Sequence, residues 1–296
     1  DCEYVIKICP QNAKAYNYKG LILSETNKFK DAIDNYRQAI ILDPNYSDAF
    51  NNLGVSLQKL GKFEEAEACY RQAINIKPDY IECYSNLLYL ISISNFSYQN
   101  YLKDASSYVT RIRDQTTLSF SKWSYVYQPK RLRIGFVSGD YKNHPVGYFL
   151  ESLLSQLSSS SLDIYAYTTT FIEDDLTSRI KSHVTHWRQL HDKSDDQAAQ
   201  LIHNDNIHIL IDLSGHTDLN RLPIFVSKPA PIQVSWLGYW ASTGLPEIDY
   251  ILGDPFITPY DEAHHFSEKI WQLPESYLCF TEPNFPLKVK PLPALQ

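Results

Sequence analysis

The sequence predicts an α-helical solenoid followed by an α/β lobe with a parallel sheet. Three observations predict it. Proline recurs every 34 residues, at Pro10, Pro44 and Pro78, with similar text around each. Beyond Lys130 the apolar pattern changes from amphipathic-helix spacing to short apolar runs separated by amphipathic stretches. Seven of the ten glycines lie in that second part, most of them at the ends of the runs, where a strand must turn toward a helix.

The repeats come first. AIILDPNYSDAF around Pro44 answers AINIKPDYIECY around Pro78. Counted from Ala13, Ser47 and Ile81, an aromatic stands at the fourth position (Tyr16, Phe50, Tyr84) and Gly20 and Gly54 at the eighth. Ala32 and Ala66 take the twentieth, Tyr36 and Tyr70 the twenty-fourth, Ala39 and Ala73 the twenty-seventh. This is the tetratricopeptide pattern of paired antiparallel helices, in which small residues admit close approach, aromatics fill the gap and proline closes the second helix. The third unit carries Leu88 where glycine stood and continues into SISNFSYQNYLKDASSYVTRIRD, which reads as capping and connecting helices. Asn17, Asn51, Asn52 and Asn86 fall on the first helix of each pair, the concave side. They are either solvated polar residues or a ladder for the backbone of an extended peptide, with Asn52 and Asn86 the residues expected to bind it.

In the second part the runs RIGFVS, DIYAYTT, HILIDLS, IQVSWLG and DYILGD read as strands, and LTSRIKSHV and SDDQAAQLIHND as intervening helices. Alternation of this kind means a Rossmann-like parallel sheet. The loops after the strands, SGDYKNHPVG, SGHTDLNR, GYWASTGLP and GDPFITP, then converge on one edge, where open α/β sheets place their ligands. The expected boundaries are residues 1–90 for the repeats, 91–129 for the capping and connecting helices and 130–296 for the lobe.

Composition narrows the function. A net charge of −7 argues against nucleic acid as the main partner. No apolar run reaches membrane-spanning length, so no membrane partner is expected. The five cysteines (Cys2, Cys9, Cys69, Cys83 and Cys279) are odd in number and scattered, as free thiols in a reducing compartment such as the cytoplasm. Methionine is absent even at position 1, and Pro10 closes a unit whose beginning is missing, so a piece of a longer protein is expected. No zinc-ligand spacing, Walker lysine loop, GxSxG or GxGxxG occurs, and no metal is expected.

His144 is the most pointed residue. It sits in Asn143-His144-Pro145 after the first strand, and the proline biases it away from helix. A neutral imidazole there can take a proton from a hydroxyl, or simply bond backbone. His216 and Thr217, after the strand HILIDL, leave the same two readings open. His203 and His208 flank Asp205 at the other edge and read as structural.

The text RIGFVSGDYKNHPVGYFLE, AAQLIHNDNIHILIDLSGHT, KPAPIQVSWLGYWASTGLPEIDYILGD and FSEKIWQLPESYLCF resembles the O-linked N-acetylglucosamine transferase family in its bacterial form, in order from Arg131 to about Phe280. The resemblance implies the amino-terminal half of a GT-B fold. It also implies a protein O-glycosyltransferase that transfers N-acetylglucosamine from UDP-GlcNAc to Ser or Thr of polypeptide acceptors, with inversion, no cofactor and no metal. It makes His144 the base, with Asn143 and Pro145 beside it as substrate-binding residues. His216 and Thr217 and the loop of Gly238, Tyr239 and Thr243 would border sugar and acceptor. Two departures stand out. Trp240-Ala241 replaces the proline and glycine common after Gly-Tyr. The chain also stops at KPLPALQ, where the family continues into the lobe that holds most UDP contacts, so this chain alone is expected to be inactive. A repeat scaffold with a vestigial lobe and an asparagine glucosyltransferase are the alternatives.

Overall fold

The computed structural model describes residues 2–94, 97–124, 129–157 and 161–279. The terminal segment KPLPALQ lies outside them. Seven helices come first: α1 (Cys2–Ile8), α2 (Ala13–Glu25), α3 (Phe29–Leu42), α4 (Ser47–Lys59), α5 (Phe63–Ile76), α6 (Ile81–Ile93) and α7 (Tyr98–Gln115). The pairs α2/α3 and α4/α5 are held by one recurring fit. A Cβ on Gly20 would lie 2.5 Å from Tyr36 Cε1, and one on Gly54 2.6 Å from Tyr70 Cε1, so each glycine makes room for a fully buried ring. In α6/α7 the bulk is exchanged. Leu88 replaces the glycine, and Ala105 stands seven residues into α7, where Tyr36 and Tyr70 stand seven residues into α3 and α5; both are buried. The Ala105 side chain instead lies against Gly244 of the lobe, where a Cβ on the glycine would come within 2.6 Å of it.

The lobe is a seven-stranded sheet, all neighbours parallel, in the order β3-β2-β1-β4-β5-β6-β7. The strands are β1 (Leu132–Ser138), β2 (Leu162–Thr168), β3 (His186–Gln189), β4 (Ile209–Asp212), β5 (Ile232–Trp236), β6 (Tyr250–Gly253) and β7 (Lys269–Gln272). Helices α8 (Pro145–Leu157) and α9 (Asp175–Ser182) cover one face, where Phe136, Ile164, Ala166 and Trp236 meet Leu150, Leu154, Leu176 and Ile180. Helices α10 (Asp195–Asn204) and α11 (Leu222–Val226) belong to the other face. That face shares one continuous core with the repeats, running from Tyr36 and Tyr70 through Tyr101 and Tyr108 to Val137, Tyr167 and Leu210. The connecting strap is fixed as well. The Phe120 amide donates to Ser227 O (2.9 Å), Trp123 Nε1 donates to Lys228 O (3.1 Å), and the Phe120 ring stacks on His203 at 3.9 Å. His208 Nδ1 accepts from the Arg133 amide at 3.0 Å. Repeats and lobe thus share apolar contacts as well as chain.

Candidate active site

The strand order reverses direction between β1 and β4, and this switch point opens a crevice at the carboxyl ends of the strands. The loops there interlock. A Cβ on Gly139 would lie 2.7 Å from Leu219 Cβ, and Thr169 Oγ1 donates to Leu219 O at 2.7 Å. Leu219 itself holds a left-handed φ of 58°. A Cβ on Gly238 would come within 1.9 Å of Leu213 O, so the loop after β5 can lie against the end of β4 only with glycine at that position.

His144 stands at the rim of this crevice, its side chain 42% exposed, immediately before Pro145 opens α8. Its Nδ1 accepts from the Val146 amide at 3.3 Å and lies 3.5 Å from Asp140 Oδ2. The loop is held from both sides: the Asn143 amide donates to Asp174 Oδ2 at 2.6 Å, and the Tyr148 hydroxyl donates to Asn143 Oδ1 at 3.2 Å. An imidazole with one edge open to solvent and a fixed backbone is placed to exchange a proton with a bound hydroxyl. Pro145 supplies helix geometry rather than a polar contact.

The other expected ligand residues are placed differently. His216 is 2% exposed and has both ring nitrogens in use. Nε2 donates to Thr243 O at 3.0 Å, so Nδ1 accepts from Ser85 Oγ at 2.9 Å, across the joint between α6 and the lobe. Burial pushes its pKa down to about 4, so it is neutral. Thr243 is fully buried. Its amide donates to Glu268 Oε1 at 2.7 Å and its hydroxyl bonds the same oxygen, while Ser242 Oγ donates to Oε2 at 2.7 Å. Tyr239 is 3% exposed, its hydroxyl 3.0 Å from that of Tyr101, which in turn donates to Ser242 O. A buried side chain whose polar atoms are all spent has nothing left to offer a ligand, so His216 and Tyr239 pin the repeats to the lobe, and Thr243 holds the loop beneath them. Beneath them Asp212 ends β4, accepting from the amides of Ser214 (3.3 Å) and Gly215 (2.6 Å). Burial raises its pKa to about 7. Of this group Thr217 is the one that reaches open space.

That space is a cleft of about 970 Å³ between the repeats and the lobe, walled by Glu82, Ser85 and Asn86 of α6, Gln115 of α7, and Thr217 to Arg221 of the loop after β4. The asparagines lead into it. Asn52 Nδ2 donates to Asn17 Oδ1 (3.1 Å) and Asn86 Nδ2 to Asn51 Oδ1 (3.0 Å). Asn220 Nδ2, from the lobe, reaches Ser85 Oγ (3.5 Å), the residue of the third unit that matches Asn17 and Asn51. The sixth position of each unit thus bonds the fifth position of the unit before, and the lobe supplies the last rung. Asn17 and Asn51 are buried beneath; Asn52 and Asn86 are half-exposed on the track.

Sequence reasoning missed Asp140, Ser85, Tyr101 and Glu268. Asp140 had a signal, a carboxylate one helical turn before a loop histidine. The others had none: Ser85 and Tyr101 meet partners more than a hundred residues away, and Glu268 meets a loop 25 residues before it that carries no acidic-partner signal. Among the described residues no group of three or more His, Cys, Asp or Glu is placed to hold a metal ion, and no helix is long and apolar enough to cross a membrane.

Comparison with known proteins bears on the fold and the family. Models of the tetratricopeptide repeat match residues 47–80 and 20–61. The probable UDP-N-acetylglucosamine–peptide N-acetylglucosaminyltransferase SPINDLY of Petunia hybrida is 34% identical over 181 residues, 60% of this chain and 19% of that protein. The corresponding enzyme of Caenorhabditis elegans is 34% identical over 154 residues, 51% of this chain and 13% of that protein. A solved mutant of the Thermobaculum terrenum O-GlcNAc transferase superposes with a TM-score of 0.89 at 31% identity, covering 97% of this chain and 56% of that one. The chain therefore spans less than a fifth of those two curated relatives and about half of the solved bacterial enzyme. The model for glycosyl transferase family 41 matches residues 105–284, well over half of the sequence, and the chain belongs to that family.

Proposed function

We propose that the protein containing this chain is a protein O-glycosyltransferase that moves N-acetylglucosamine from UDP-GlcNAc to Ser or Thr of polypeptides with inversion. The observation that carries the proposal is the pairing, at one switch point, of a half-exposed histidine with a cleft fed by a side-chain ladder from the repeats. An extended acceptor lies along Asn52 and Asn86 and enters the cleft past Thr217. Its hydroxyl gives its proton to His144, the oxygen bonds the anomeric carbon from the face opposite UDP, and the carbon–oxygen bond to UDP breaks with its electron pair leaving on the diphosphate. The charge of that diphosphate is met outside the four crevice loops. Of their two cations, Arg221 is spent on Asp195 Oδ1 (2.6 Å), Leu190 O and Lys193 O, and Lys142 lies 3.8 Å from Asp140.

The test is transfer by the complete protein from a panel of nucleotide sugars to polypeptide, read by intact mass and site mapping. The expected product carries one N-acetylhexosamine on Ser or Thr, with UDP-GlcNAc the preferred donor. The double variant Asn52→Ala/Asn86→Ala should weaken long acceptors and leave short peptides nearly unaffected. Modification of asparagine, or no transfer with any donor, would contradict the proposal.

A further inference from the structure

We propose that Asp140 is the positioning residue of His144, holding its imidazole in the tautomer that leaves Nε2 free and carrying the counter-charge once that nitrogen is protonated. The proposal rests on His144 being the base. Asp140 opens the same loop, four residues ahead, and is 8% exposed. Its Oδ2 is 3.5 Å from His144 Nδ1 and its Oδ1 is 3.8 Å from Lys142 Nζ. Among the described residues its carboxylate has these two ion-pair partners and no hydrogen bond. A nearly buried carboxylate whose partners stand beyond hydrogen-bond length is costly to keep. Burial pushes its pKa up, and His144 and then Lys142 draw it back, with Asp218 opposing them.

Two groups compete for one ring nitrogen. The Val146 amide, at 3.3 Å, needs a lone pair on Nδ1; Asp140 needs a proton there. With the amide served, Nε2 carries the hydrogen and cannot accept another. With Asp140 served, Nδ1 carries it and the lone pair of Nε2 is left for the acceptor hydroxyl. As transfer proceeds, the hydroxyl proton moves to Nε2, the freed oxygen pair forms the bond to the anomeric carbon, and the ring becomes a cation whose Nδ1–H points at Asp140. That cation forms at the N-terminus of α8, a helix of 13 residues whose dipole disfavours positive charge. The carboxylate offsets both the dipole and the loss of the amide contact.

The experiment is steady-state transfer by the complete protein carrying Asp140→Asn, His144→Ala or both. Asp140→Asn should lower kcat at least about 10-fold with KM for the donor unchanged. The double variant should be no slower than His144→Ala alone, because the two residues act as one unit. Wild-type kcat in Asp140→Asn, with His144→Ala inactive, would overturn the proposal and leave the base in place. Wild-type kcat in His144→Ala would instead remove the base and Asp140 with it. A double variant much slower than His144→Ala would also overturn it, since Asp140 would then act elsewhere. Should Asp140→Asn fail to fold, added formate acting on Asp140→Ala replaces it: recovery of kcat supports the proposal, and a folded variant that formate leaves unchanged overturns it.

Discussion

Glu268 holds the loop after β5 that meets α7 through Ser242 and Gly244. It is 4% exposed and accepts from the Thr243 amide, the Thr243 hydroxyl, Ser242 Oγ and Ser267 Oγ. Glu268→Ala removes four acceptor contacts, but the losses are unequal. Ser242 and Ser267 keep each other at 2.9 Å, whereas the amide and hydroxyl of Thr243 are left buried without that partner. At about 1–3 kcal/mol for each of the two orphaned groups the cost is about 2–6 kcal/mol. Glu268→Gln keeps one carbonyl oxygen for Thr243, and its amide can donate to the two serine hydroxyls, which turn to accept. What it loses is the charge, so the cost falls to about 1–2 kcal/mol. Urea unfolding followed by tryptophan fluorescence measures the loss, and hydrogen exchange localises it. Faster exchange is expected in α7 and around Thr243, with α2 and α3 unchanged. Both variants within about 0.5 kcal/mol of wild type, the range of ordinary surface changes, would refute the reasoning.

Buried His216 and buried Asp212 each give the stability a pH dependence. His216 drops from its usual 6.5 to about 4, so its contribution is complete above pH 6.5 and is lost as pH falls to 4. Asp212 rises from 3.8 to about 7, so its contribution is complete below pH 3.8 and is lost as pH rises through 7. The two slopes oppose between pH 4 and 6.5, and Asp212→Asn should uncover the first, costing about 3 kcal/mol more at pH 4 than at pH 6.5 relative to wild type; a pH-independent difference would contradict this. UDP should bind residues 1–296 more weakly than micromolar by calorimetry, because Arg221 and Lys142 are already engaged; micromolar binding would move the nucleotide site into this chain.

The repeats were legible because a 34-residue period repeats the packing itself: Gly20 predicts room for Tyr36, and Gly54 for Tyr70. Five strands were legible as apolar runs. The two that were not, HWRQ of β3 and KIWQ of β7, are the edges of the sheet, where neither chain needs to be apolar on both faces. The crevice followed from strand order, but the roles of its residues did not. His144 is on the rim, as its proline neighbour suggested. His216, Tyr239 and Thr243 follow strands in the same way and yet are buried, because α6 and α7 pack over their loops. Only the long-range pairing of Ser85 with His216 and of Tyr101 with Tyr239 reveals it.

His144 is the group proposed to take the acceptor proton. The measurement that tests it most directly is kcat for sugar transfer by the complete protein carrying His144→Ala, at saturating donor and acceptor. A loss of about 10²-fold or more, with KM for the donor little changed, is the expected result. Turnover near that of the wild type would contradict it.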